Sequence, residues 1–344
     1  MNNNIIRIGL IGSVPPPIGG VTILFEYLQR ALDEMPYVHV ETVLIPVGSK
    51  SVWCKIRSTL GVARDVISIL PKIDILTLHV PTLVLPVLGP LCLVLAKLYK
   101  TPFILRKFGG TDYTQFNWFK RRLSIWVVNR SEIYLAEARA LVSVAKGHGA
   151  KRAIWYPNYR PTVPTDMNSE VRHCQRFVYI GQIRRVKGVM EIAEAAESLD
   201  LIEPIDIYGP FYDGITEDSF KQFKNVRYKG ILSPQDVILT LSKYHALLLP
   251  TYHNGEGYPG VIFEAYSAGL PVICSKWKFL PEIVDETSGL LVAPRDAESL
   301  RIAMHAMQNN DALYQKLRTG AKEKAKLFST DIWVQKFVEI CHSL

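Results

Sequence analysis

The sequence predicts an α/β protein built from two doubly wound parallel sheets in series. Three observations carry this. Short apolar runs alternate with segments of helical spacing, the pattern of a parallel sheet covered on both faces. The alternation stops at Tyr156-Pro157-Asn158-Tyr159-Arg160-Pro161-Thr162-Val163-Pro164, where three prolines fall within eight residues, and then restarts. The chain has 344 residues, which suits two domains of ordinary size.

Taken in order, residues 5–11 read as a first strand and not as a signal peptide, because no charged leader precedes a short apolar run. A Pro15-Pro16-Pro17-Ile18-Gly19-Gly20 loop leads into a helix over 21–32. Strands follow at 38–46, 73–79 and 103–107. The stretch 75–96 carries no formal charge and is long enough to span a bilayer, but it holds Pro81, Pro86, Gly89 and Pro90. Strand, loop and a buried helix from about Gly89 to Tyr99 account for it better than a membrane span. The segment 118–126 has helical spacing, with Leu123, Trp126 and Val127 expected in the core, or else an interfacial helix of cations and aromatics. Beyond the proline-rich break come a strand at 177–181, a helix at 188–199, strands at 204–208 and 226–228, a helix at 234–241 and a strand at 246–249. Pro259 suits a first helical turn and Gly269 a helix end, which sets a helix over 259–268 before the strand at Val272-Ile273. Ligands of such sheets lie at the carboxyl ends of the strands, so the cleft between the two domains is the expected site.

The charge is unevenly placed. Residues 1–165 hold 20 Lys and Arg against 9 Asp and Glu, a net of +11, and the rest hold 20 against 23, a net of −3. A basic first half suits an anionic partner. No nucleic-acid motif is present, so an anionic membrane surface or a diphosphate-bearing acceptor is the expected one. Cys54, Cys92, Cys174, Cys274 and Cys341 are scattered and odd in number, which points away from a disulfide framework and towards a reducing compartment. The chain is expected to be cytoplasmic, or peripheral on the cytoplasmic face of a membrane. No Asp-x-Asp, His-Glu-x-x-His, zinc-ligand spacing or Gly-x-Ser-x-Gly occurs, so neither a metal nor a cofactor is expected.

The most informative segment is Glu256-Gly257-Tyr258-Pro259-Gly260-Val261-Ile262-Phe263-Glu264-Ala265, between an apolar run ending in Pro250 and Gly269-Leu270-Pro271-Val272-Ile273. This is strand, glycine-rich loop, helix, strand. Amides at a helix start can face phosphates, and a carboxylate can accept hydrogen bonds from sugar hydroxyls. A second segment, Tyr179-Ile180-Gly181-Gln182-Ile183-Arg184-Arg185-Val186-Lys187-Gly188, places three cations in a loop between strand and helix. A third, Pro17-Ile18-Gly19-Gly20-Val21, and a fourth, Lys107-Phe108-Gly109-Gly110-Thr111-Asp112, also follow strands.

These motifs together resemble the retaining glycosyltransferases of family 4, also called group 1, whose GT-B fold sets two Rossmann-like domains face to face across a cleft. The resemblance implies an acceptor-binding domain over 1–160, a nucleotide-sugar-binding domain over 165–328, and a final helix over 329–344 that returns to the first domain. It implies that Glu264 binds the nucleotide ribose and that Glu256 contacts the transferred sugar. Amides around Tyr258, Pro259, Gly260 and Val261 would meet sugar or diphosphate, with Gly181, Gln182, Gly19 and Gly20 lining the donor and Ile231 beside the base. Lys187 matches the family lysine that steadies the diphosphate. Gln182 stands where the family has an arginine, so Arg184 or Arg185 would have to reach the phosphates instead. Phe108 stands where many relatives carry a histidine. His79 is the nearest substitute, with Thr111 and Asp112 as acceptor contacts.

The activity implied is hexosyl transfer with retention from a UDP- or GDP-sugar to a saccharide or lipid-linked saccharide, in surface polysaccharide or glycan assembly. Two alternatives stand beside it: a sugar-nucleotide epimerase on the same fold, and a non-catalytic sugar-nucleotide-binding subunit supporting a partner.

Overall fold

A computed structural model describes residues 5–47, 51–162 and 171–344. The chain divides into two compact units. One runs to Asn158 and takes in Thr330–Leu344, and the other is Tyr159–Ser329.

In the first unit the elements are β1 (Ile6–Gly12), α1 (Gly20–Asp33), β2 (Val38–Leu44), α2 (Val52–Ile69), β3 (Ile75–Pro81), α3 (Leu85–Leu98), β4 (Phe103–Phe108), α4 (Trp118–Arg130), β5 (Ile133–Ala136), α5 (Arg139–Gly147) and β6 (Ala153–Trp155). The sheet order is β2-β1-β3-β4-β5-β6 and every pairing is parallel. β3, β4 and β5 are buried along nearly their whole length because both faces of a parallel sheet are covered.

The second unit contains β7 (Phe177–Ile180), α6 (Val189–Glu197), β8 (Ile205–Tyr208), β9 (Val226–Tyr228), α7 (Val237–Leu241), β10 (Ala246–Leu249), α8 (Gly260–Ser267), β11 (Val272–Ser275), β12 (Gly289–Val292), α9 (Ala297–Asn309) and α10 (Asp311–Leu327). Its sheet runs β12-β11-β10-β7-β8-β9, again all parallel. Counted from β7, this is the dinucleotide-binding order. The last helix, α11 (Thr330–His342), belongs to the first unit, where the Trp333 carbonyl accepts a hydrogen bond from the Tyr156 hydroxyl at 2.7 Å.

Two local expectations change. α3 begins at Leu85, not near Gly89. Pro86 lies in the first turn, where no donor is needed, and Gly89 leaves room for Val127 of α4, whose methyls lie 3.2–3.3 Å from where a Cβ would stand. In α4 the inward face is Ser124, Val127 and Val128, while Trp126 is 41% exposed. The helix is rotated so that its aromatic residues lie outside. Among the described residues no helix is long and apolar enough to cross a membrane.

In the second unit, His245 precedes β10 and its Nδ1 accepts the backbone N–H of Gln175 (2.9 Å) and of Arg176 (3.3 Å). Burial, then the charges of Arg176 and Arg318, lower its pKa to about 4. Protonation would also cost both accepted bonds. An unfolded histidine titrates near 6.5, so below that pH the unfolded chain takes up a proton that the folded chain refuses. The stabilisation is complete above about pH 6.5 and is lost as the pH falls to about 4. His245→Asn, which keeps an acceptor and does not titrate, is expected to flatten that part of the pH profile of urea unfolding.

Candidate functional site

The switch point of the second sheet lies between β7 and β10, where successive crossovers leave in opposite directions. Such a point opens a crevice at the carboxyl edge. Two loops meet there, residues 181–188 after β7 and 250–259 after β10. The Tyr252 N–H donates to the Val186 carbonyl at 2.9 Å. Gly188 has φ +77°, and a Cβ there would stand 2.3 Å from the Pro250 carbonyl oxygen, so no other residue lets the loops approach this closely.

Across this junction the Lys187 ammonium meets Glu256 Oε2 at 2.6 Å. The Thr251 hydroxyl donates to the same oxygen at 2.6 Å. The Glu256 residue is 7% exposed, so its charge is shielded from water and paired locally. His253, in the same loop, is held below its ordinary pKa by burial and then by Lys187, so it is neutral at neutral pH. Its carbonyl accepts from Trp277 Nε1 at 3.0 Å and from the Glu256 N–H at 3.1 Å, which fixes the turn before Glu256. Thr251 and His253 were not singled out from the sequence. Their one signal is position, in the loop that leaves a strand at the switch point.

α8 starts at Gly260 and ends at Ser267, with Gly269 at φ +74° closing it, close to the expected 259–268. Glu264 lies inside it, and its Oε1 accepts from Arg160 Nε at 2.6 Å. Arg160 is 3% exposed and lies in the proline-rich segment, which no expectation connected to the site.

The other sequence candidates fall as follows. Gly181 donates its N–H to the Tyr208 carbonyl at 3.0 Å, and the Gln182 carbonyl accepts from the Tyr179 hydroxyl at 2.6 Å, leaving the Gln182 side chain exposed. Arg184 pairs with Asp213 through two bonds of 3.1 Å, and Arg185 is exposed in the turn before Lys187. Arg184 is thus already engaged by a carboxylate. Tyr258 turns inward, 3% exposed, and donates to Glu282 Oε2 at 2.7 Å, so of this residue only the backbone is available to a ligand. Pro259, Gly260 and Val261 form the start of α8, and Ile231 is exposed beyond β9.

In the first unit, Gly19 and Gly20 are exposed at the start of α1, where Gly19 donates its N–H to the Thr22 hydroxyl at 3.1 Å. The fully buried Lys107 ammonium donates to the carbonyls of Gly109 (2.7 Å) and Thr111 (2.9 Å) and to Thr82 Oγ1 (3.1 Å), pinning the loop that carries Thr111 and Asp112. Asp112 caps the following turn by accepting the Thr114 N–H at 2.8 Å. His79 departs from its expected acceptor role. It is 1% exposed, packed against Phe25 and Phe337 at 5.6 and 5.7 Å, and burial holds its pKa well below the ordinary value. The structure gives it a packing position. Among the described residues no group of three or more His, Cys, Asp and Glu is placed to hold a metal ion.

This architecture is that of the GT-B glycosyltransferases. The crystal structure of Anabaena HepE in complex with UDP matches with a TM-score of 0.76 at 15% identity, over 98% of this chain and 100% of that one. Residues 174–310, within the second unit, match the family described as glycosyl transferases group 1. O-antigen chain mannosyltransferase B of Escherichia coli is 28% identical over 165 residues, covering 44% of this chain and 42% of that protein. A putative teichuronic acid biosynthesis glycosyltransferase, TuaC of Bacillus subtilis, is 30% identical over 129 residues, 37% and 31% of the two chains. The chain spans less than half the length of these curated relatives. Together the matches show the GT-B fold and, over residues 174–310, a likeness to the group 1 glycosyl transferases.

Because Lys187 and Glu256 share one shielded ion pair, Lys187→Met and Glu256→Gln will not add. Each alone leaves a poorly partnered polar group at a buried site. The double variant is expected to be more stable than the sum of the singles by about 1–3 kcal/mol, read from urea unfolding.

Proposed function

We propose that this chain is a retaining family 4 glycosyltransferase that moves a hexose from a UDP- or GDP-sugar to a saccharide or lipid-linked saccharide during surface polysaccharide assembly. The observation that carries this reading is the Lys187–Glu256 pair at the switch point of the second sheet, with Glu264 on the helix that follows the same loop. Support comes from the relatives named for O-antigen and teichuronic acid synthesis and from the neighbour of the same fold solved with UDP.

In this reading the second unit binds the donor and the first binds the acceptor. Glu264 accepts hydrogen bonds from the ribose, and Glu256 from hydroxyls of the sugar. The diphosphate gives Lys187 a second anionic partner beside Glu256, and its ammonium stabilises the charge that grows as the bond from the anomeric carbon to the diphosphate oxygen breaks. The acceptor hydroxyl forms the new bond on the same face and passes its proton to the departing phosphate oxygen. No side chain is required as the base.

The same proposal includes a peripheral position on an anionic membrane. In the first unit, Trp118 and Phe119 of α4 are 69% and 63% exposed, beside the exposed cations Lys120, Arg121 and Arg122, and α4 carries no acid. α3 packs against both α2 and α4 and adds the exposed Val87, Val94 and Leu98. Apolar side chains among cations suit an anionic lipid surface.

Two outcomes are expected. In an assay with UDP- and GDP-sugars, free nucleoside diphosphate will accumulate only when a saccharide acceptor is supplied, and Glu256→Ala will lower kcat by about 100- to 1,000-fold. Turnover of the donor without acceptor would favour an epimerase, and binding without turnover a donor-binding subunit. In sedimentation with vesicles containing phosphatidylglycerol at low salt, the protein will pellet, and Trp118→Ser with Arg121→Glu will leave it in the supernatant.

A further inference from the structure

We infer that Arg160 is a positioning residue for Glu264, one that sets the carboxylate for the ribose of the donor; this rests on the donor-binding reading of Glu264 above. Three observations converge on it. First, the ion pair is direct, short and shielded: Arg160 Nε to Glu264 Oε1 is 2.6 Å, with the two side chains 3% and 12% exposed. Second, the backbone of Arg160 is fixed within the second unit. Its N–H donates to the Phe328 carbonyl at 3.0 Å, it bridges Ser329, and the neighbouring Pro161 carbonyl accepts from Ser267 at the end of α8 at 3.1 Å. Third, the start of α8 is shaped around the guanidinium. A Cβ on Gly260 would stand 1.8 Å from Arg160 Nη2, so the glycine at this position is what admits the arginine. Nη1 is oriented by the Tyr159 carbonyl at 2.9 Å.

The consequence is geometric. A glutamate on an exposed helix face samples several rotamers. Here Oε1 is committed to Arg160, and among the described residues no hydrogen bond reaches Oε2. One carboxylate oxygen is anchored and the other remains an acceptor, in an orientation set before a ligand arrives. Lysine would supply the charge without the fixed fork.

The test takes whichever of UDP and GDP wild type binds more tightly and compares it with its 2′,3′-dideoxy form by titration calorimetry on wild type, Glu264→Gln, Arg160→Gln, Arg160→Lys and the double variant Arg160→Gln/Glu264→Gln. Wild type is expected to prefer the nucleotide with the intact ribose by about tenfold or more, the scale of a lost hydrogen bond to a charged group. Glu264→Gln and Arg160→Gln should each abolish most of that preference, the double variant should lose no more than either single, and Arg160→Lys should fall between. In turnover assays Arg160→Gln should raise the donor KM with little change in kcat. A folded Arg160→Gln protein that keeps the full preference overturns the inference while leaving Glu264 on the ribose. If Arg160→Gln does not fold, Arg160→Lys decides: an undiminished preference overturns the inference and a reduced one supports it. Wild type that does not distinguish the two nucleotides removes the ribose role of Glu264, and the inference falls with it.

Discussion

The constraint on which the rest depends is the side-by-side parallel pairing of β7 and β10 at the centre of the second sheet. Because the chain crosses over in opposite directions from these two strands, their following loops cannot cover the carboxyl edge with the same helix layer. They fold towards each other instead. Everything proposed as chemistry in this unit hangs from that junction. The loop after β7 brings Lys187, the loop after β10 brings Glu256, and α8 carries Glu264 behind it. The Tyr252-to-Val186 backbone bond and the close approach at Gly188 hold the two loops together before any side chain is counted.

Three shielded cations are held by fixed oxygen acceptors: Lys107 by two carbonyls and a hydroxyl, Lys187 by Glu256, and Arg160 by Glu264 and the Tyr159 carbonyl. Such pairs add little net stability when compared with apolar residues of the same size. What they supply is direction. A lysine paired with a carboxylate, and a glutamate with one oxygen anchored, are set in place in advance.

The two units differ in where their sequence was informative. In the second, the order strand, glycine-rich loop, helix, strand around Glu256 and Glu264 was legible because each boundary is marked by Pro or Gly at a position with its own backbone requirement. Gly269 at positive φ is the clearest case. In the first, α3 and α4 were harder to place. Pro86, Gly89 and Pro90 mimic a loop while lying in a helix, and the rotation of α4 follows from its packing on α3, which no local pattern in Trp118–Val127 records. His79 shows the same limit from the other side. A histidine at a strand end reads as a candidate contact, and only the rings of Phe25 and Phe337 show that it is packed inside.

By itself the sequence determined the α/β class, the break after the first unit, and the residue types at the switch point, because alternating apolar runs and glycine or proline boundaries are local signals. Tertiary structure decided the partners. That Lys187 reaches Glu256, 69 positions away, that Arg184 is taken by Asp213, and that Arg160 anchors Glu264 from 104 positions earlier all depend on strand order and loop approach. No window along the chain contains both members of any of these pairs, so their physics exists only once the sheet has formed.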